Sequence, residues 1–121
     1  MRILVLSDDP ETIRHIDTDT FKENHDVLFY RDDKNPLQVM SFVCYNYPKA
    51  LIADDDYLKP NSVEVLKAIK KVHPGLAVIF VSSQVSVDLG REISQLGIHY
   101  FAQKPLQEDE LKDSLQTLIK I

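Results

Sequence analysis

The chain has 121 residues, 44% of them hydrophobic and 27% charged, which is enough to bury one core and leads us to expect a single domain over residues 1–121. Its net charge of -5 and its pI near 5.2 disfavour a nucleic-acid surface, because such surfaces neutralise phosphates with Lys and Arg. The lone Cys44 cannot form an internal disulfide, and we expect a cytoplasmic protein. No apolar run reaches the roughly 20 residues that span a bilayer, so we expect no membrane contact.

Strand and helix patterns alternate along the first half of the chain. Residues 2–6 form a predicted strand, and Asp9-Pro10 opens a predicted helix with three apolar residues on one face, Ile13, Ile16 and Phe21. A second strand is predicted over 26–31. Asn35-Pro36 then begins a helix that Pro48 ends, and its apolar positions recur at helical spacing: Met40, Val43, Cys44 and Tyr47.

The second half continues the alternation. A third strand is predicted over 49–53, followed by a loop to Pro60 and a helix that ends at 73–75, with an inner face of Val63, Leu66, Ile69 and Val72. Residues 76–81 form the most hydrophobic strand, after which Ser82-Ser83 could cap a fourth helix with Val85, Leu89 and Ile93 facing inward. Gly97 is a plausible residue to end it. A fifth strand over 98–102 and a helix after Pro105 complete the chain, the helix carrying Leu111, Leu115 and Leu118.

This order of elements predicts an α/β fold with a doubly wound, five-stranded parallel sheet. Parallel strands need crossover connections, and the helices of those connections cover both faces of the sheet. The chain has only 3 glycines and no glycine-rich phosphate loop. A dinucleotide site or a P-loop is therefore disfavoured.

Two predicted strands end in acidic residues. The first strand runs into Ser7-Asp8-Asp9, and the third runs into Asp54-Asp55-Asp56. Ligands of open α/β sheets bind outside the carboxyl ends of the strands, and a hard cation prefers several oxygen ligands. The alternative is that both clusters are solvated turns or helix caps, which Asp also favours.

The residues at these strand ends resemble those of the response-regulator receiver family. The matching features, in the order of the family, are Ser7-Asp8-Asp9-Pro10, Asp54, Ser82 and Lys104-Pro105. The segment Val63-Glu64-Val65-Leu66 also resembles the family's usual Leu-Glu-Val-Leu. The resemblance covers essentially the whole chain and implies the (βα)5 flavodoxin-like receiver fold.

The resemblance implies a phosphoacceptor and a metal site. Asp54 would accept a phosphoryl group from a histidine kinase or a small phosphodonor. Mg²⁺ would be held by the side chains of Asp8 and Asp54 and by the backbone carbonyl of Asp56. Lys104, whose peptide bond to Pro105 is cis in the family, would pair with the phosphoryl oxygens. Considered alone, such a lysine is more typical of a surface residue before a helix.

The resemblance also implies a switch and its partners. Ser82 would hydrogen-bond a phosphoryl oxygen after activation, and Phe101 would change rotamer. The alternatives are that Ser82 caps the fourth helix and that Phe101 is core packing. The implied partners are a sensor histidine kinase or phosphotransfer protein, and a downstream effector that binds the fourth helix, fifth strand and fifth helix. The domain would signal rather than act as an enzyme, and a homodimer is left open.

Several positions depart from the family pattern. Ser7 stands where an outer acid is usual, and Asp9 does not obviously replace that acid. Asp55 occupies a usually apolar position, Leu58 replaces a proline and Ser62 replaces a glycine. Like charges beside the nucleophile raise carboxylate pKa values unless a cation compensates.

These departures keep two alternatives open. The first is a pseudo-receiver that acts through protein contacts without phosphorylation. The second is a phosphatase resembling the haloacid dehalogenases, because Asp54-Asp55-Asp56 contains their Asp-x-Asp. In that family, however, the nucleophile strand comes first and the metal-binding acids come late, which is the reverse of the order here.

Overall fold

A computed structural model describes residues 1–84 and 86–119. These residues form a parallel sheet of five strands in the order β2-β1-β3-β4-β5. The strands are β1 (Arg2–Leu6), β2 (Asp26–Phe29), β3 (Ala50–Asp54), β4 (Ala77–Ser82) and β5 (Tyr100–Gln103). The predicted fold class, a doubly wound α/β domain with five parallel strands, is confirmed.

Helices connect the strands and cover the sheet. In the described part of the chain they are α1 (Pro10–Ile16), α2 (Asp19–Asn24), α3 (Pro36–Asn46), α4 (Asp55–Leu58), α5 (Ser62–Val72), α6 (Val87–Ser94) and α7 (Glu110–Ile119). Two details of the helices in the first half of the chain differ from the prediction. The first predicted helix is divided in two because Thr18 caps a new helix, and the predicted loop after β3 contains the single turn α4, capped by Asp54.

The sheet separates two layers of apolar packing. Alternate residues of a strand point to opposite faces, so Leu4 and Leu6 pack with α3 and α5, whereas Ile3 and Val5 pack with α1 and α7. All residues of β3 and β4 are buried, as expected for central strands covered on both faces. The residues at the carboxyl ends of these two strands are therefore held in fixed positions.

Two predicted inward positions are wrong. Tyr47 is exposed because it is the left-handed residue that ends α3, with a φ of 48°, and its ring stacks on His73 instead of entering the core. Val72 is exposed because it is the last residue of α5, where no further turn packs around it. Ile69 is the last fully buried position of that helix.

The fourth predicted helix begins later than the sequence indicated. Ser82 belongs to β4, and Ser86 caps α6 through its side chain, which accepts a hydrogen bond from the Leu89 amide. Of the predicted inner face, Ile93 is buried, Leu89 is partly buried, and Val85 lies outside the described residues. Ser82 is consequently not a helix cap.

Strand register brings the polar strand ends together. Leu6 is opposite Ala53, Asp54 is opposite Val81, and Ser82 is opposite Gln103. The residues that follow these strands therefore meet at one edge of the sheet. None of the helices in the described residues is long and apolar enough to cross a membrane.

Candidate functional site

The candidate site lies at the carboxyl edge of the three strands β1, β3 and β4, beside the end of β5. Ser7 directly follows β1, Asp54 ends β3, and Ser82 ends β4. The Lys104 amide donates to the Ser82 carbonyl at 2.9 Å, which fixes the start of the lysine side chain against β4. The Lys104–Pro105 peptide bond is cis, as the family resemblance implied.

The ammonium group of Lys104 is the centre of the site. Three carboxylate oxygens surround its Nζ: Asp54 Oδ2 at 2.8 Å, Asp56 Oδ2 at 3.0 Å and Asp9 Oδ2 at 3.1 Å. Burial lowers the pKa of Lys104, but hydrogen bonds and charge from the three aspartates raise it well above its usual value. The lysine is therefore fully charged and is not the surface residue of the alternative interpretation.

Asp54 is completely covered by its partners. Its Oδ2 accepts hydrogen bonds from Ser7 Oγ at 2.6 Å and from Lys104 Nζ, and its Oδ1 accepts from the Asp56 amide at 3.0 Å. The side chain has no exposed surface. A buried carboxylate is stable only when it is paired in this way, and its reaction with any external group requires the groups that cover it to move aside.

Asp56 is held mainly by Ser83 and Lys104, with Lys59 at 3.4 Å as a third neighbour. Ser83 donates its hydroxyl at 2.7 Å and its amide at 3.1 Å, and Lys104 supplies a positive charge. Burial raises the pKa of Asp56, but these hydrogen bonds and the Lys104 charge outweigh it and lower the pKa from 3.8 to about 2. Asp56 is thus ionised at any physiological pH.

The lowered pKa of Asp56 predicts acid-sensitive stability. A carboxylate with a depressed folded pKa contributes stability above its unfolded pKa, and that contribution is lost as the pH falls through the folded value. We expect wild type to exceed Asp56→Asn by about 2 kcal/mol in free energy of unfolding at pH 6. The difference should shrink between about pH 4 and pH 2. Urea unfolding across this range checks the expectation, and a difference independent of pH would contradict it.

The structure brings Asp9, rather than Asp8, to the lysine. Asp9 caps α1 through the Glu11 amide and accepts from Thr12 Oγ at 2.8 Å, so its carboxylate is fixed toward Lys104. Burial raises the pKa of Asp9, but its bonds to Thr12 and Lys104 give a net lowering. Asp8 is 68% exposed and faces Lys34 at 3.7 Å, outside the cluster around Lys104.

Ser82 and Asp55 form a second polar group behind the site. Ser82 Oγ donates to Asp55 Oδ2 at 3.0 Å, and Ser62 Oγ donates to Asp55 Oδ1 at 2.7 Å. All three residues are buried. Asp55 and Ser62 are therefore two departures from the family pattern that compensate each other, since the buried carboxylate requires the hydroxyl.

Phe101 lies on the outer side of β5. Its side chain is 40% exposed, and its ring packs on Phe80 with centroids 5.3 Å apart. A surface depression of about 400 Å³ lies beside it, lined by Phe101, Gln103, Lys104, Pro105, Gln107 and Glu110. The lysine of the acidic cluster thus also borders the surface of β5 and α7.

A divalent cation is compatible with the donor chemistry of this pocket. Three carboxylates share one ammonium, which leaves a charge of about -2, and carboxylate oxygens are the ligands that Mg²⁺ prefers. Within residues 1–84 and 86–119, however, no three His, Cys, Asp or Glu side chains already have the spacing of a metal centre. Lys104 holds the carboxylates in the positions observed.

Sequence reasoning missed three contributors to the site. The sequence pattern indicates Ser7 only as a missing acid, although it donates to Asp54, and Ser83 only as part of a helix cap, although it binds Asp56. The pairing of Ser62 with Asp55 was also missed. The sequence feature that could have indicated these contacts is the presence of several unusual polar residues at strand ends and in the loops that follow them. Polar residues that depart together from a pattern often interact with one another.

Comparisons with known sequences find distant relatives. The chain is 23% identical to sporulation initiation phosphotransferase F of Bacillus subtilis over 118 residues, covering 98% of this chain and 94% of that protein. It is 28% identical to the luminescence regulatory protein LuxO of Vibrio campbellii over 76 residues, covering 63% of this chain and 17% of that protein. No protein-family model matches the chain.

Solved structures agree with these sequence relatives. A response regulator from Thermotoga maritima superposes with a TM-score of 0.79 at 17% identity, covering 99% of this chain and 98% of that one. The signal receiver domain of a LuxO repressor protein from Vibrio parahaemolyticus gives 0.78 at 23% identity, covering 98% and 89%. The resemblance to response-regulator receiver domains, predicted from the strand-end residues, is therefore confirmed.

Proposed function

We propose that this chain is a receiver domain of a two-component phosphorelay in which Asp54 accepts a phosphoryl group. The observation that carries the proposal is the ion pair between Asp54, at the exit of the central strand β3, and Lys104, at the exit of β5. The buried carboxylate of Asp54 can act as the nucleophile, and the ammonium group of Lys104 supplies a positive charge for the transferred phosphoryl group. Distant receiver-like relatives support the same assignment.

The proposed reaction is a single phosphoryl transfer. An oxygen of Asp54 forms a bond to phosphorus while the bond between phosphorus and the leaving group breaks, and the leaving group departs with the bonding electrons. Such transfers depend mostly on positioning and on neutralising charge. The ammonium group of Lys104 would move from the Asp54 carboxylate to the phosphoryl oxygens, so that the phosphoryl group becomes its charge partner. The domain would act as a signalling module and not as a turnover enzyme.

Mg²⁺ is the proposed cofactor of this transfer. Its proposed ligands are the carboxylates of Asp8 and Asp54 and the backbone carbonyl of Asp56, with Asp9 in the same acidic pocket. Asp8 is free to turn toward the pocket, because an exposed pair at 3.7 Å contributes at most about 1 kcal/mol. A bound cation would neutralise charge on the transferring group.

The proposed partners are a histidine kinase or phosphotransfer protein as donor and an effector as output. Ser82 and Phe101 connect the two, because Ser82 ends β4 behind the nucleophile and Phe101 packs on Phe80 of the same strand. Movement of Ser82 toward a phosphoryl oxygen would change the packing under Phe101. The surface built from α6, β5 and α7 would then bind the effector differently.

A pseudo-receiver is the second candidate, and one observation favours it. Asp54 has no exposed surface, and both of its oxygens already accept hydrogen bonds. If Lys104 and Ser7 never release it, no phosphodonor reaches the carboxylate. The domain would then bind partners through the same surfaces without phosphorylation.

Labelling of the wild-type protein separates the two candidates. We expect incubation with acetyl phosphate and Mg²⁺ to add one phosphoryl group, detected by intact-mass spectrometry. Removal of Mg²⁺ with EDTA should reduce the labelled fraction at least tenfold, because the cation neutralises charge on the transferring group. A protein that is folded by circular dichroism but stays unlabelled at high donor concentration would support the pseudo-receiver.

A further inference from the structure

Asp55 is a buried acid whose hydrogen-bonding capacity is directed at two serines. The residue is 3% exposed, Ser62 donates to its Oδ1 at 2.7 Å, and Ser82 donates to its Oδ2 at 3.0 Å. Burying a charged group is unfavourable unless it is paired or hydrogen-bonded. The two hydroxyls supply that compensation, so Asp55 and Ser82 stabilise each other in the observed arrangement.

The donor capacity of the Ser82 hydroxyl is fully used in this arrangement. A serine hydroxyl has one proton to donate, and here it is donated to Asp55. The oxygen also accepts from the Gln84 amide at 3.0 Å, which fixes the rotation of the side chain. Ser82 can therefore donate to another acceptor only by giving up its bond to Asp55.

A second serine-aspartate pair is formed by the next residue of each segment. Ser83 donates its hydroxyl to Asp56 Oδ1 at 2.7 Å and its amide to Asp56 Oδ2 at 3.1 Å. The segment that leaves β4 is thus attached at two consecutive residues to the turn that leaves β3. This double attachment opposes any movement of Ser82 that is not accompanied by a change at Asp55.

We infer that Asp55 is a positioning residue that holds Ser82 in the unswitched arrangement and competes with a phosphoryl oxygen for its proton. This inference rests on the proposed function, in which Ser82 binds the phosphoryl group on Asp54. A phosphoryl oxygen must then replace the Asp55 carboxylate as the acceptor of the Ser82 hydroxyl proton. A hydrogen bond to a carboxylate shifts such an equilibrium about tenfold or more. Asp55 would make the domain switch less readily than one with an apolar residue at this position.

A binding experiment with beryllofluoride and Mg²⁺ tests this role. We expect Asp55→Asn to bind the phosphoryl mimic about tenfold more tightly than wild type, because a neutral amide holds Ser82 less strongly. Amide resonances followed by NMR give the affinity, and the Gln84 amide reports directly on Ser82. The matched control is Ser62→Ala, which alters the same carboxylate but leaves its bond to Ser82. It should not tighten binding.

A double-mutant cycle excludes a purely electrostatic explanation. Neutralising Asp55 also removes a negative charge near the bound anion, and that effect would persist without the Ser82 hydroxyl. We therefore expect Asp55→Asn to have little effect on affinity when Ser82 is already alanine. Equal tightening in both backgrounds, or none in either, overturns the positioning role. Failure of wild type to bind beryllofluoride at all overturns the proposed function as well.

Discussion

Asp54→Asn is expected to take up no phosphoryl group from acetyl phosphate under conditions that label the wild-type protein. An amide oxygen is a far weaker nucleophile than a carboxylate oxygen, so the loss should be complete rather than partial. The substitution is nearly isosteric, and its amide oxygen can still accept from the Asp56 amide. Its NH2 group would then face Ser7, whose hydroxyl can accept as well as donate, while Lys104 keeps its pairs with Asp9 and Asp56, so the fold should persist. Intact-mass spectrometry measures the labelled fraction, and circular dichroism verifies the fold.

Asp26→Asn is the matched control for this loss. Asp26 begins β2 at the opposite end of the strands and pairs with Arg2 at 2.9 Å, far from the carboxyl edge of the sheet. The same chemical change there should leave labelling at the wild-type level. Labelling that persists in Asp54→Asn would place the phosphoacceptor elsewhere and would contradict the proposed function.

Lys104→Ala is expected to lower the free energy of unfolding by about 3–5 kcal/mol in the absence of divalent cations. The change leaves three carboxylates without their shared ammonium, and one of them, Asp54, is completely buried. An unpaired buried charge is far more unfavourable than an unpaired exposed one. Urea unfolding at neutral pH measures the effect.

Lys59→Ala is the control for Lys104. Lys59 lies 3.4 Å from Asp56 but is half exposed, so its removal should change stability by less than about 1 kcal/mol. If Mg²⁺ binds the acidic pocket, adding it should recover more stability in Lys104→Ala than in wild type, because the lost lysine no longer competes with the cation. A small loss in Lys104→Ala, comparable to that in Lys59→Ala, would contradict the central role of the lysine.

The fold was predictable because it depends on repeated, local signals. Alternating apolar strands and amphipathic helices require a covered parallel sheet, and five such units leave few topologies. The errors in the predicted inward positions fall at the ends of helices. Tyr47 and Val72 satisfy the helical spacing, but each is the residue at which its helix stops, and helix ends depend on caps and neighbours rather than on periodicity.

Part of the candidate site was also predictable. The family resemblance, rather than the spacing of residues, predicts that Lys104 lies near Asp54, and the two side chains lie 2.8 Å apart. Which other carboxylates contact Lys104 was not predictable. Asp8 and Asp9 are adjacent in the sequence, and the local backbone conformation decides which of the two side chains faces the pocket. Helix capping decides it, since Asp9 is fixed by Thr12 and by the Glu11 amide.

The sequence by itself determined the sheet, the covering helices and the edge at which the acidic residues gather. Local propensity and hydrophobic periodicity act between near neighbours, so one chain read in order contains that information. Only the tertiary structure decided that Asp55 is buried rather than solvated, and that Ser62 and Ser82 are its partners. Ser62 and Ser82 lie 7 and 27 residues from Asp55 in the sequence. The buried charge is stable only once the packed fold has brought the two hydroxyls to it.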